Sequence, residues 1–527
     1  MKKRIDEGNI FIRIIVIGFV LLTASGIVRY RHAFTPLPFQ FLDQTSVLPL
    51  VGGGFMAVTT VLAVIWLSRF PTSFVVPFAV LLSGGLRAWW VSHVETMPVY
   101  DFLTVSEAAL SVAGGDLSVL KSPYFTRFAY QIPFALWESI FYRLFGPDHR
   151  VMEWVHVLLY AFIPLLGYVL TVKLLRTQDK HGLSFSKRAG GAVALFLAIE
   201  PSSLMMSSVL TNQYSALFFY LLSLIATMQA IESVSVPKKL SWSIVSGLFL
   251  ALGGLLRPLA IVYMIALLLY MFIALYMPGT FHPAFSRPNV FIRRIKQQQK
   301  RPDNTNFNAP RPPSPLTRLI SKLSPLLTIL VYFVVTQLVS MTLMTLNITD
   351  RPLKNDEPEW KFVAGLNRES IGHYTKKDAD LVLSYPQGES RRAVERALIL
   401  ERLKEPGLLT FFVTKIQYLW GFVDQAWKWA DWQPPGEWLS IVLVYERLLF
   451  AFMLLGLMFV PIKGRILYPL FIVLIYAGIH LIIEIQVRYR YDMLVFIYML
   501  GTIGLCWIRA ASAEYKIIFT RSKNVGR

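Results

Sequence analysis

A single cysteine, Cys506, occurs in 527 residues. One thiol builds neither a disulfide framework nor a cysteine metal cluster, so any metal would have to be held by His, Asp and Glu. Histidine is sparse as well: the eight present are scattered, and no pair has the spacing of ligands on one helix face, which argues against a dedicated metal site. Acidic residues are in deficit, 32 Asp and Glu against 52 Lys and Arg, a net charge of +20. That balance need not mean a nucleic-acid partner, because a membrane chain gathers Lys and Arg in its cytoplasmic loops. Further absences narrow the reading. No glycine-rich loop follows a strand, which weighs against a soluble nucleotide-borne donor. No G-x-S-x-G elbow is present. No internal repeat or inverted pairing of broken helices is visible, which weighs against a transporter.

Apolar sequence, by contrast, is abundant: 55% of residues are hydrophobic and the mean hydropathy is +0.51. Runs of about 18 residues or more, enough to cross the hydrocarbon of a bilayer, recur along the chain. They predict an all-α polytopic membrane protein with about twelve spans, near residues 9–28, 47–68, 72–91, 151–175, 188–207, 210–232, 241–255, 258–277, 323–347, 438–461, 466–484 and 491–510. The first run lacks a cleavage site and continues into "RYRHAF", the pattern of a permanent anchor. The basic stretches "MKKRIDEGNIFIR", "KLLRTQDKHGLSFSKR", Lys238–Lys239, 278–322 and "RSKNVGR" fall on one side, expected to be cytoplasmic together with both termini, in a cell (plasma) membrane. Three regions follow. Residues 1–347 form an N-terminal transmembrane module with an outer loop, 92–150, and the basic cytoplasmic loop 278–322; residues 348–437 form an outer-face helical segment; residues 438–527 hold the last transmembrane helices and a basic tail.

Both outer segments mix acids with bases, so chemistry is sought there. In 92–150, Phe102, Val105, Ala109 and Val112 recur at helical spacing, which predicts a short interfacial helix. The following stretch, "FAYQIPFALWESIFYRLFG", is interrupted by Pro133 and is expected to lie flat. In 348–437, the run "ESRRAVERALILERLKEPGLLTFFVTKIQYLWG" predicts amphipathic helix. Asp101 stands where a carboxylate could accept a proton from an attacking hydroxyl. From the residues alone, the favoured reading is instead that Asp101 caps the helix before which it stands. Arginines suited to a phosphate are Arg127, Arg257, Arg488 and Arg490, each of which could instead snorkel to headgroups. Arg87, beside Trp89 and Trp90, reads as an interfacial anchor. A divalent ion shared by Asp101 with Glu107, Asp116 or Glu484 is the metal arrangement left open, and no other cofactor is indicated.

In order along the chain, "MPVYDFLTVSEAALSVAGG", "SPYFTRFAYQIPFALWESIFYRLFG", "EPSSLMMSSVLTNQYSALFFYLL", "GGLLRPLAIVY", "GLNRESIGHYTKKDAD" and "EIQVRYRYDMLVFIYMLGTIGL" resemble motifs of the GT-C superfamily of integral-membrane glycosyltransferases. The likeness is to the bacterial branch that includes protein O-mannosyltransferases and lipid A aminoarabinose transferases. It implies a sugar on a polyprenyl phosphate as donor, Asp101 as catalytic base, and donor phosphate held from Arg127, Arg257, Arg488 and Arg490. Glu107, Asp116, Tyr124, Gln131, Asn212, Asn367 and Glu484 would support these residues or meet the acceptor, a protein, lipid or cell-envelope glycan. Phe102 departs from the protein O-mannosyltransferase pattern, which has Glu directly after the Asp, so the resemblance does not single out a protein acceptor. Readings from other classes are a transporter or flippase using Arg257 and Glu200, and a ligase or polymerase of lipid-linked glycans.

Overall fold

The length of each apolar run decides most of the architecture. A computed structural model describes residues 2–30, 47–176, 183–276 and 323–525, so the basic loop expected at 278–322 lies outside the described residues. Its α-helices in chain order are α1 (Lys2–Arg29), α2 (Leu48–Leu67), α3 (Thr72–His93), α4 (Asp101–Ala113), α5 (Pro123–Arg127), α6 (Ile132–Phe145), α7 (Arg150–Ala161), α8 (Ile163–Leu175), α9 (Leu183–Ala198), α10 (Pro201–Met206), α11 (Gln213–Glu232), α12 (Val236–Leu256), α13 (Ala260–Tyr276), α14 (Leu326–Thr345), α15 (Glu359–Leu366), α16 (Lys376–Leu383), α17 (Glu389–Lys404), α18 (Leu408–Gly421), α19 (Ala426–Trp429), α20 (Trp438–Met458), α21 (Leu467–Ile479) and α22 (Tyr491–Val525). No β-strand occurs among the described residues, and the one strand-like contact given is an isolated bridge between Phe128 and Asn355.

Nine segments among the described residues are long and apolar enough to cross a membrane, which makes the chain a multi-pass membrane protein. The remaining three expected spans are shorter helices, and the reasons are local. In the run at 188–207, Glu200 and Pro201 end α9 and start α10, whose first turn Glu200 caps by accepting from the Ser202 and Ser203 amides at 3.0 and 2.6 Å. The run at 258–277 begins late because Pro258 and the extended Arg257 separate α12 from α13. In the run at 466–484, α21 stops at Ile479 and residues 484–486 leave the helix.

Packing places the core between α3, α8, α9 and α11 on one side and α20, α21 and α22 on the other. Small residues allow the closest crossings: a Cβ on Gly26 of α1 would lie 2.4 Å from the Gln417 carbonyl oxygen of α18. Arg87 is not an interfacial anchor. It is fully buried, donating to the Ser83 hydroxyl (3.0 Å), the Ala198 carbonyl (3.0 Å) and the Ser203 hydroxyl (2.9 Å), with its guanidinium over Tyr160. A charge inside a bundle persists only when partners replace its hydration, and here it ties α3 to the α9–α10 junction. Pro133 does not break its stretch either; it occupies the first turn of α6, where a missing N–H costs nothing. The amphipathic run of the outer segment forms α17 and α18, parted at Pro406 and Gly407, the latter left-handed at φ 81°.

Candidate active site

At the head of α4 the backbone is strained. Tyr100, 81% exposed, adopts φ 52° and ψ −128°, a region unfavourable to a side chain. This turn makes Asp101 the first helical residue, with no side-chain cap at the helix start. The carboxylate therefore does not serve as the N-cap, although it faces the positive end of the helix macrodipole. It lines a cavity of about 670 Å³, within the size range of small-molecule sites.

Two further walls come from distant parts of the chain. An extended segment runs from α21 to α22 past α15: the Glu484 amide donates to the Lys361 carbonyl at 2.8 Å and the Ile485 amide to the Gly372 carbonyl at 2.9 Å. Only glycine fits at the crossing, since a Cβ on Gly365 would lie 2.2 Å from the Ile483 carbonyl carbon. Lys415 of α18 pins the same crossing by donating to the Gly365 and Ile483 carbonyls at 2.6 and 2.8 Å. The consequence is a side-chain pair in the cavity wall, Lys361 with Glu484. Burial would raise the Glu484 carboxyl, but the Lys361 ammonium, the Gln486 hydrogen bond and the Arg488 charge together hold the group below the usual carboxylate range.

Arg488 lines the same cavity. Its Nε donates to Gln486 Oε1 at 2.6 Å, and its guanidinium lies 4.7 Å from the Phe102 ring centre, 5.0 Å from Trp429 and 5.5 Å from Tyr489. These rings orient a cation without neutralising it. Among the described residues no carboxylate lies within ion-pair distance of Arg488. Arg127, also on the wall, differs: its Nε stands 2.5 Å from Glu357, whose other oxygen takes Arg391 at 2.8 Å. Tyr124 and Tyr130 complete the site near Asp101, their phenols pushed up by burial and, to a lesser degree, by the Asp101 charge, so both act as neutral hydrogen-bonding groups.

Of the residues expected from the sequence, then, Asp101, Tyr124, Arg127, Glu484 and Arg488 meet in one cavity. Arg257 and Arg490 do not line it. Arg257 pairs with Asp492 (2.8 Å) and donates to Asn212 Oδ1 (2.9 Å), which also fixes Asn212 as a structural residue. Arg490, 1% exposed, faces inward to Asp424 and Glu446 and donates to the Phe422 carbonyl at 3.0 Å. Both guanidiniums are thus spent on internal carboxylates. Glu107 is exposed on α4, away from the cavity, and Asp116 closes a turn by accepting from the Ser118 amide at 2.9 Å. Gln131 does not line the cavity, and Asn367 is buried against Asp378 at 2.7 Å, which in turn takes Arg402. No group of three His, Cys, Asp or Glu able to hold an ion occurs among the described residues. Of the oxygen donors expected for a divalent ion, Asp101 and Glu484 line one cavity, Glu484 there paired with Lys361, while Glu107 and Asp116 lie elsewhere.

Sequence reasoning missed Lys361, Tyr130, His373, Trp429 and Tyr489. A usable signal existed for the first: "EWKF" places a cation beside an aromatic residue in the mixed-charge outer segment, four residues before Gly365.

No protein-family model matches the chain, and no curated protein matches it. Among solved structures, it is similar to an oligosaccharyltransferase of Archaeoglobus fulgidus tethered to an acceptor peptide containing the NVT sequon, at 15% identity and a TM-score of 0.43, over 85% of this chain and 50% of that one. It is likewise similar to the archaeal oligosaccharyltransferase AglB from Archaeoglobus fulgidus in complex with an inhibitory peptide and a dolichol-phosphate, at 16% identity and a TM-score of 0.43, over 86% of this chain and 52% of that one. The chain spans about half the length of these oligosaccharyltransferase chains.

Proposed function

We propose that this protein is a membrane glycosyltransferase that moves a sugar from a polyprenyl phosphate to a hydroxyl acceptor, with chemistry in the cavity lined by Asp101 and Arg488. The observation that carries the reading is a division of labour in one cavity: a carboxylate not committed to capping and a guanidinium not committed to a carboxylate. The motif resemblance to GT-C glycosyltransferases assigns the same residue as base. In the reaction, the acceptor hydroxyl gives its proton to Asp101 while its oxygen attacks the anomeric carbon. The bond from that carbon to the phosphate oxygen breaks, and the phosphate leaves with both electrons. Arg488 meets the growing negative charge from an orientation already set by Gln486 and its aromatic neighbours. Arg127 and Lys361 contribute less net charge, each being matched by a glutamate. A single displacement of this kind inverts the anomeric configuration. No step is routed through a metal.

The test is consumption of polyprenyl-phosphate sugars by the purified protein in lipid, with the product's anomeric configuration read by NMR. Inverted product supports the reading. Retained configuration excludes the single displacement, and no consumption with any donor in the panel counts against glycosyl transfer itself.

A further inference from the structure

Beside the first cavity lies a second, of about 420 Å³, in the outer segment. Arg351, Lys354, Asn355, Glu357, Gln387 and Arg392 are among the residues that line it. Its walls are held in place. Arg351 pairs with Asp356 at 2.5 Å, Asn355 accepts from the Glu357 amide at 3.1 Å, and Arg391 donates to the Tyr385 carbonyl at 2.9 Å while pairing with Glu357 at 2.8 Å. At its edge Gly388, with φ 115°, turns the chain into α17.

The two cavities share a partition. The backbone of Asn355 bridges to Phe128, and residues 355–357 run alongside Arg127 and Phe128, which line the first cavity. Glu357 lines the second cavity and forms an ion pair with Arg127 of the first at 2.5 Å. A ligand in the second cavity is therefore anchored one side-chain layer from the Asp101 site.

Charge and shape indicate what it would take. Lys354 has no ion-pair partner among the described residues, Arg392 shares Glu359 with Arg396, both at 3.2 Å, and Glu357 is shared by Arg127 and Arg391. The lining holds three cations, Arg351, Lys354 and Arg392, against two carboxylates, Asp356 and Glu357, and an anion that meets Lys354 displaces no ion pair among the described residues. Guanidinium and amide groups together match a ligand bearing a planar or tetrahedral anion and several hydroxyls. We propose that the second cavity is an acceptor subsite for an anionic carbohydrate, a glycan carrying a carboxylate or a phosphate, another part of which presents its hydroxyl to Asp101. The acceptor role rests on the glycosyltransferase reading; the binding of an acidic sugar does not.

The experiment titrates the full-length protein in lipid nanodiscs with three probes: a disaccharide containing glucuronic acid, its neutral counterpart, and glucose 6-phosphate. At least one acidic probe is expected to bind, about tenfold or more tighter than the neutral one, and which of them binds identifies the anionic group. Lys354→Glu and, separately, Gln387→Ala should weaken that binding by about tenfold or more, while leaving affinity for a polyprenyl-phosphate sugar within about twofold. Arg488→Ala should do the reverse. Equal binding of acidic and neutral probes, absence of acidic-probe binding, or unchanged binding in Lys354→Glu each overturns the proposal. Acidic-probe binding with no donor consumption by the unaltered protein would remove the glycosyltransferase reading and leave the subsite standing.

Discussion

Asp101→Asn separates a catalytic from a structural carboxylate because the structure sets the two costs far apart. The side chain makes no cap hydrogen bond, so its one identifiable stabilising term is the interaction of a first-turn anion with the macrodipole of α4, about 0.3–1 kcal/mol at an exposed helix end. Asparagine keeps the size and loses only the charge. As general base, in contrast, the carboxylate should contribute about 10²–10⁴-fold in rate, or about 2.7–5.5 kcal/mol of barrier. The expected outcome is donor turnover lowered by that factor, donor affinity within about twofold of the unaltered protein because Arg488 is untouched, and a melting temperature nearly unmoved. Initial rates with a polyprenyl-phosphate sugar, equilibrium donor binding and thermal unfolding in the same lipid preparation give all three numbers. A turnover loss smaller than about tenfold in a folded variant would refute the assignment of Asp101 as base.

Arg488→Ala should weaken donor binding by about 10–100-fold, the worth of a charge-assisted hydrogen bond to phosphate, and measured donor affinity checks it directly. Asp424→Asn should destabilise the fold by about 3–5 kcal/mol, because it leaves the buried Arg490 without its main partner; a loss of thermal stability larger than any change in donor affinity is the expected signature. Glu395 supplies a pH dependence. It is fully buried on α17 with neither carboxylate oxygen hydrogen-bonded, and burial, then the neighbouring Glu357 charge, raise it from 4.5 to about 7. The folded state then holds this proton up to a higher pH than the unfolded chain does. Its contribution is complete below about 4.5 and is lost as pH rises through about 7. Unfolding measured from pH 4.5 to 7.5 should show the unaltered protein losing stability relative to Glu395→Gln, and parallel curves would contradict the assignment.

The parts of the fold that the sequence made legible were those governed by a count of residues, because a run of apolar side chains must reach a fixed thickness whatever it packs against. Where a run is cut by a residue with local consequences, as at Glu200–Pro201 or Arg257–Pro258, the helix is shorter than the apolar run that contains it. The site divides along a similar line. Asp101 was legible because its setting, a carboxylate opening an amphipathic helix after an apolar run, is written in neighbouring residues. The four arginines were not separable, because what distinguishes them is whether a carboxylate pairs with each, and the carboxylates lie far off in sequence: Asp492 is 235 residues from Arg257, and Asp424 is 66 from Arg490. The stretch "RYRYD" shows how the discrimination arises. Its helical turn sends Arg488 and Tyr489 into the cavity, Arg490 inward to Asp424 and Asp492 across to Arg257. The two arginines of this motif, either side of Tyr489, thus face different surroundings: Arg490 fixes the turn against Asp424 in the interior, and Arg488 lines the cavity with no carboxylate within ion-pair distance among the described residues. What sets Arg488 apart from the other three is therefore the absence of a direct ion pair, which pattern along a chain does not record because it depends on where distant carboxylates fold.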